Sequence, residues 1–169
     1  MIRGLCLCLI LFLNGCGVYT FTGTNTAASS ISVQNFFNDT GQGPANISQL
    51  FSEDLREYYQ RNTNLNVVQN DGELQVEGSI VRYSTAPVAP QASGNDQTPD
   101  VAGATRLTIQ VQVTFVNLLN EEENFTRNFS FYDDFDSQTS NLTAEEDQLI
   151  ETIFDQIIFD IFNATVANW

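Results

Sequence analysis

Between Thr105 and Asn117, Leu107, Ile109, Val111, Val113 and Phe115 alternate with Arg106, Thr108, Gln110, Gln112 and Thr114. This two-residue period constrains the fold more than any other feature of the chain. Successive side chains of a strand point to opposite faces, so the run reads as a strand with one apolar and one wet side. Strands of that kind belong to antiparallel sheets covered on one face only. The same period runs from Glu73, with Leu74, Val76, Gly78 and Ile80 set against Glu73, Gln75, Glu77 and Ser79. Glu122 to Tyr132 repeats it less cleanly through Phe125, Phe129 and Phe131, which makes Asn117 to Glu123 a hairpin connection.

The remaining elements follow from spacing and punctuation. Ile31 to Phe37 is β-branched and aromatic and reads as a first strand, and Asn38 to Pro44 as a loop. Ile47, Leu50, Phe51, Leu55, Tyr58 and Tyr59 recur at helical spacing, with Asn46 as the expected cap and Gln49 completing a capping box. Leu65 to Val68 reads as a short strand, and Asn70-Asp71-Gly72 as a hairpin turn into the next one. A last helix is predicted from the Thr143 and Glu146 capping box, followed by Leu149, Ile150, Ile153, Phe154, Ile157, Ile158, Ile161 and Phe162. The order strand, helix, strands, helix predicts an α+β fold: two helices packed on one face of a mostly antiparallel sheet of four or five strands. Ile153, Phe154, Ile157 and Ile161 are expected to face Leu107, Ile109, Val111 and Val113.

The N-terminus carries a different signal. Arg3 supplies a positive start, and the apolar run Leu5 to Leu13 is too short to span a bilayer. It stops at Leu13-Asn14-Gly15-Cys16, where a small residue precedes a cysteine, as bacterial lipoprotein maturation requires. The expected organisation is a lipoprotein-type signal peptide over residues 1–15, a lipidated tether over 16–29 and one domain over 30–169. Acylation of Cys16 would attach the chain to a membrane, since each buried CH₂ contributes about 0.8 kcal/mol and two or more chains hold stably.

Composition removes several function classes. The 21 acidic residues all follow Cys16, the basic residues are six arginines with no lysine, histidine is absent and the formal net charge is −15. A surface this acidic repels nucleic acid, and no basic run offsets it locally. Cys6 and Cys8 would leave with the signal and Cys16 would be alkylated, so no disulfide framework or free thiol is expected. The commonest general base and the Schiff-base amine are missing too. No cofactor and no metal are expected.

The candidate sites are few. Ser84 to Ala104 carries Pro87, Pro90, Pro99, Gly94 and Gly103 between two strands, and a loop of that length is usually functional or disordered. It is the expected partner-binding segment. Asp133-Asp134-Phe135-Asp136 could collect Ca²⁺ but lacks the glycine and distal glutamate of an EF-hand loop, so it reads as a solvated strand end. Glu121-Glu122-Glu123 reads as an exposed turn, and Trp169 either docks or packs against the last helix.

Taken in order, Gly15-Cys16-Gly17-Val18-Tyr19, ISVQNF, ELQVEGSI, ATRLTIQVQVTF and the terminal DIFNATVANW resemble the Bacteroidota-type LPS-assembly lipoprotein family LptE across essentially the whole mature chain. The resemblance implies a non-catalytic outer-membrane lipoprotein that plugs the large β-barrel LptD and helps lipopolysaccharide reach the cell surface. Direct contact with lipopolysaccharide in that family is attributed to basic residues, for which this chain offers only Arg56, Arg61, Arg82, Arg106 and Arg127. An adaptor for another envelope machine, or a carboxylate-based hydrolase on the same scaffold, remain as the alternatives.

Overall fold

A computed structural model describes residues 26–88 and 103–167. In chain order these form β1 (Ser30–Val33), β2 (Phe37–Asn38), α1 (Ile47–Asn62), β3 (Asn66–Val68), β4 (Leu74–Pro87), β5 (Ala104–Asn117), a 3-10 turn (Glu121–Glu123), β6 (Phe125–Asp136) and α2 (Leu142–Thr165). The long strands are as the alternation predicts. β4, β5 and β6 pair antiparallel, from Leu74 opposite Asn117 to Pro87 opposite Thr105, and from Phe115 opposite Phe125 to Ala104 opposite Asp136. Leu74, Val76, Ile80, Leu107, Ile109, Val111, Val113 and Phe115 all lie buried on one face, in one core with Ile153, Phe154, Ile157 and Ile161. Full burial of each such side chain is worth about 1.5–3 kcal/mol relative to exposure.

The sheet itself differs from the expected one. It has six strands in a mixed arrangement, ordered β3-β1-β4-β5-β6, with β2 also on β4. β1 runs parallel to both β3 and β4, and β2 runs parallel to β4. The predicted strand Ile31 to Phe37 is two short strands. β1 ends with Val33 opposite Val76 and β2 resumes with Phe37 opposite Ser79, so Gln34, Asn35 and Phe36 face only Glu77 and Gly78. The extra residue turns Phe36 into the core, where its ring lies over Gly78; a Cβ there would come within 2.8 Å of the ring.

Asn70-Asp71-Gly72 is not a hairpin turn. Because β1 lies between β3 and β4 and is parallel to both, the link from β3 to β4 must cross over β1. Asp71 takes φ 56° to reverse the chain, and Gly72 rests directly on the β1 backbone. A Cβ at Gly72 would lie 2.7 Å from the Ile31 carbonyl carbon and 2.8 Å from Leu74 O, besides touching the Ser32 amide. The link is held down by Glu73. Its carboxylate accepts from the Ser29 N–H and Oγ, at 2.6 and 2.9 Å, and its own N–H donates to Ser30 Oγ at 3.1 Å. The Ser29 hydrogen bonds also hold the Glu73 carboxyl below its ordinary pKa. Ser32 is buried beneath this strap, and its hydroxyl has no hydrogen-bond partner among the described residues.

Both helices lie on the apolar face. α1 packs on β1, β2 and β3, and α2 on β5 and β6. Ser52 on α1 donates to Ser48 O (2.6 Å) and accepts the Phe36 N–H (2.9 Å), which fixes the bulge between β1 and β2 to the helix. Phe51 meets both Phe36 and Phe154 edge to face, with centroids 4.9 Å apart in both pairs. The Tyr59 and Thr165 hydroxyls share a buried 2.7 Å hydrogen bond that ties α1 to the end of α2. Desolvation pushes the Tyr59 phenol well above its ordinary pKa, so it stays protonated.

The helix starts depart from the sequence reading. Asn46 makes no side-chain cap on α1. The cap of α2 is Asn141, two residues before the expected Thr143, and its side chain accepts the Ala144 N–H at 3.2 Å. Glu146 does not complete a capping box; it accepts the Tyr83 hydroxyl. Tyr83 reaches it because Val81 is an extra residue in β4: Ile80 pairs with Val111 and Arg82 with Gln110. That bulge keeps Arg82 on the wet face and turns Tyr83 inward.

Candidate functional site

The face of the β4–β6 ladder opposite the helices has no described element packed on it, and it is built in polar rows. Glu77, Thr114 and Thr126 form one, Ser79, Gln112 and Asn128 the next, then Arg82, Gln110 and Ser130, then Ser84, Thr108 and Tyr132. The rows are tied laterally: Thr114 and Thr126 hydroxyls lie 3.0 Å apart and Gln112 Nε2 donates to Asn128 Oδ1 at 3.4 Å. Two aromatic side chains stand at the margins of this face. Phe37 on β2 is 69% exposed beside Ser79, and Tyr132 on β6 is exposed beside Thr108.

Arg106 organises the far end of the face. Its guanidinium lies 3.6 Å from the Tyr132 ring centroid and donates twice to Asp134, at 2.7 and 2.8 Å. The same bonds hold the Asp134 carboxyl below its ordinary pKa. Beyond Tyr83, β4 continues as an exposed arm, Ser84–Pro87, paired with Thr105–Thr108 of β5, where Leu107 stays buried. Val88 N–H donates to Ala104 O, so the position of Pro87, which lacks an N–H, faces the edge of β4 that no described strand pairs.

The predicted loop is therefore shorter than Ser84 to Ala104. Ser84–Pro87 is strand, Ala104 opens β5, and the proline-bearing residues 89–102 lie outside the described residues. Cys16 and Trp169 lie outside them as well. The acidic cluster is also strand, since β6 runs on to Asp136. Alternation sends its carboxylates to opposite faces: Asp133 pairs with Leu107 on the helix side, while Asp134 pairs with Arg106 on the wet side. Asp133, Asp134, Asp136 and Glu145 border a depression of about 200 Å³ with Ser140, Gln148 and Leu149. Its polar groups are turned inward: Asp136 accepts the Gln138 N–H, and Glu145 accepts the Ser140 hydroxyl at 2.6 Å. No group of acidic residues among those described is arranged to hold a metal ion.

The arginines are dispersed. Arg56 donates to Val33 O and Asn35 Oδ1 at 3.0 and 2.5 Å, and Arg61 lies 3.7 Å from Glu57. Arg127 stacks over Phe125 with its guanidinium carbon 4.1 Å from the ring centroid. Sequence reasoning missed the Arg106–Tyr132–Asp134 group, although residues 132 and 134 share a face by parity. It also missed the exposed Leu118 and Leu119 of the β5–β6 turn. No described helix is long and apolar enough to cross a membrane.

A family model described as LptE, lipopolysaccharide-assembly, matches residues 28–165. No curated protein matches the chain. A hypothetical protein from Chlamydia trachomatis has a similar structure, with TM-score 0.54 and 12% identity over 83% of this chain and 100% of that one. A protein from Xanthomonas campestris aligns with TM-score 0.50 and 8% identity over 79% and 81% of the two chains. Rare lipoprotein B from Shewanella oneidensis aligns with TM-score 0.46 and 10% identity over 78% and 89%. At these identities the first two likenesses speak to the fold.

Proposed function

The chain belongs to the lipopolysaccharide-assembly family LptE, and from that premise we propose that it acts without catalysis, as an outer-membrane lipoprotein anchored through Cys16 that plugs the β-barrel LptD. The observation that carries this reading is the uncovered polar face of β4–β6, which continues along β4 into the exposed arm Ser84–Pro87. Barrel lumens are lined by polar side chains. A face rich in Thr, Ser, Gln and Asn can match such a wall largely with neutral hydrogen bonds, and of its charged groups Glu77, Arg82, Arg106 and Asp134 the last two are already paired with each other. The arm and the segment between Ser84 and Ala104 would enter the lumen first. Such a plug needs no general base, which suits a chain without histidine or lysine.

Affinity purification of the tagged protein from solubilised outer membrane tests the reading. A large β-barrel should co-purify. Gln112→Glu with Asn128→Glu should weaken its recovery by adding repelling charge to the centre of the face, while leaving the melting temperature nearly unchanged. Recovery of a different envelope assembly would make the protein an adaptor. Unchanged barrel recovery from the double variant would move the contact off this face.

A further inference from the structure

We infer that β6 is a self-pairing edge: two copies of this chain join their β6 strands antiparallel about Ser130, extending one sheet across both. β6 ends the described sheet, so one of its sides meets no described strand. It is 12 residues long, contains neither proline nor lysine, and runs against β5 in unbroken register. Proteins blunt exposed edges with brevity, proline, lysine or a bulge. The opposite edge does so, since β3 has only three residues. β6 does not.

The hydrogen bonds of β5 fix which groups of β6 are available. Val88 N–H donates to Ala104 O and Leu118 N–H to Glu73 O, so the even-numbered residues of β5 bond to β4. Its odd-numbered residues therefore bond to β6, a pattern continued by Ser137 N–H on Gly103 O. In this register Thr126, Asn128, Ser130, Tyr132 and Asp134 turn their backbone groups to the open side. A second β6 must set its own even-numbered residues against these.

One register suits the side chains. With Ser130 opposite Ser130 of the second copy, Thr126 faces Asp134 and Asn128 faces Tyr132 on the wet side. On the helix side Phe125 faces Phe135, Phe129 faces Phe131 and Arg127 faces Asp133, and the two-fold axis makes each of these pairs twice. A shift of two residues either way sets Asp133 against Phe125 or Phe129, and Arg127 against Phe131 or Phe135. The four phenylalanines are half-buried, although Phe115, Val111 and Ile109 beside them on β5 are fully buried. Among the described residues Arg127 has no carboxylate partner and lies over the Phe125 ring. Charges on the inner side of an edge strand ordinarily repel an added strand. Here the two are of opposite sign and fall opposite each other. Asp133 Oδ1 now holds the Asp134 N–H at 2.9 Å; on pairing, Thr126 O of the second copy takes that N–H and Asp133 turns to Arg127. The pairing is independent of the barrel reading and concerns copies outside a barrel, since it doubles the width of the sheet.

The test follows the full-length lipidated protein in detergent, at physiological salt, by analytical ultracentrifugation. The native chain should sediment as a dimer at micromolar concentration. Arg127→Asp and Asp133→Arg should each weaken it roughly tenfold, because each creates two like-charge pairs. Both changes in one chain should restore the dimer, and the two single variants mixed should form heterodimers. Asn128→Cys mixed with Tyr132→Cys should oxidise to a disulfide dimer, with the native chain as the blank. Neither should do so alone, because like positions lie four residues apart along the joint. If a charge variant melts below the native chain, the cysteine mixture decides. A native chain that stays monomeric, a dimer indifferent to the charge variants, or a disulfide between two copies of Asn128→Cys overturns the inference. Barrel recovery enters none of these outcomes, so the plug reading stands or falls separately.

Discussion

The two halves of the sheet are held by different means. In β4–β6 the strands are long, regular and antiparallel, and their apolar residues meet one stripe of α2. In β1–β3 the strands are two to four residues long and parallel, and few apolar side chains are available. Here specific groups replace periodic ones: Gly72 in the strap over β1, Glu73 on Ser29 and Ser30, Ser52 on the Phe36 N–H, and Gly78 under the Phe36 ring. Distributed burial tolerates single changes by degrees. Contacts made by one atom confine the loss to one place.

Substitutions in each half test that contrast. Ile157→Ala removes a fully buried side chain of α2 and should cost about 2–5 kcal/mol, read as a lowered urea midpoint. If it melts like the native chain, the stripe is not core. Gly72→Ala should cost about 1–3 kcal/mol, because its Cβ meets backbone that cannot rotate away. The loss should be local, with amide exchange accelerating in β1 and β3 before β5; uniform acceleration would show that the two halves unfold together. Tyr59→Phe breaks the hydroxyl bridge to Thr165 and should cost about 1 kcal/mol, with Thr165→Val non-additive to it in a double-mutant cycle.

The smallest effect concerns charge between the helices. Burial, with Asp155, Glu57, Glu53 and Glu151 nearby, raises the Asp54 pKa above its ordinary 3.8. A carboxyl with a raised folded-state pKa favours the fold when protonated, and that advantage is lost as pH rises through the raised value. Asp54→Asn should therefore be slightly more stable than the native chain at pH 7. The difference should shrink as pH falls below 4, which melting curves across that range would show.

The same contrast explains what could be read from the sequence. The alternation of Leu107 to Phe115 and the stripe from Leu149 to Phe162 located the antiparallel half and α2, because periodic burial is written into every second or every third and fourth residue. The parallel half left no such trace. Asn70-Asp71-Gly72 carries the turn signal of a hairpin, but the glycine is needed for a close backbone approach to β1, which only the strand order reveals. The Val81 bulge was equally silent, since its effect is to change which of Arg82 and Tyr83 faces inward. Of the candidate site, the polar face was visible in the wet positions of β5. The Arg106–Tyr132–Asp134 group was not, because it depends on the register of β6 against β5.

The strap over β1 has a mechanical consequence. β1 is the first strand of the described residues, and it is parallel to its neighbours on both sides. A pull on the N-terminus directed along β1 loads its bonds to β3 and β4 together, in shear, instead of opening them one by one. The β3–β4 link lies across the strand and Glu73 grips Ser29 at its start. Tension applied at the N-terminal end of the domain would thus reach the sheet through a clamped strand, and the sheet would follow as a rigid load.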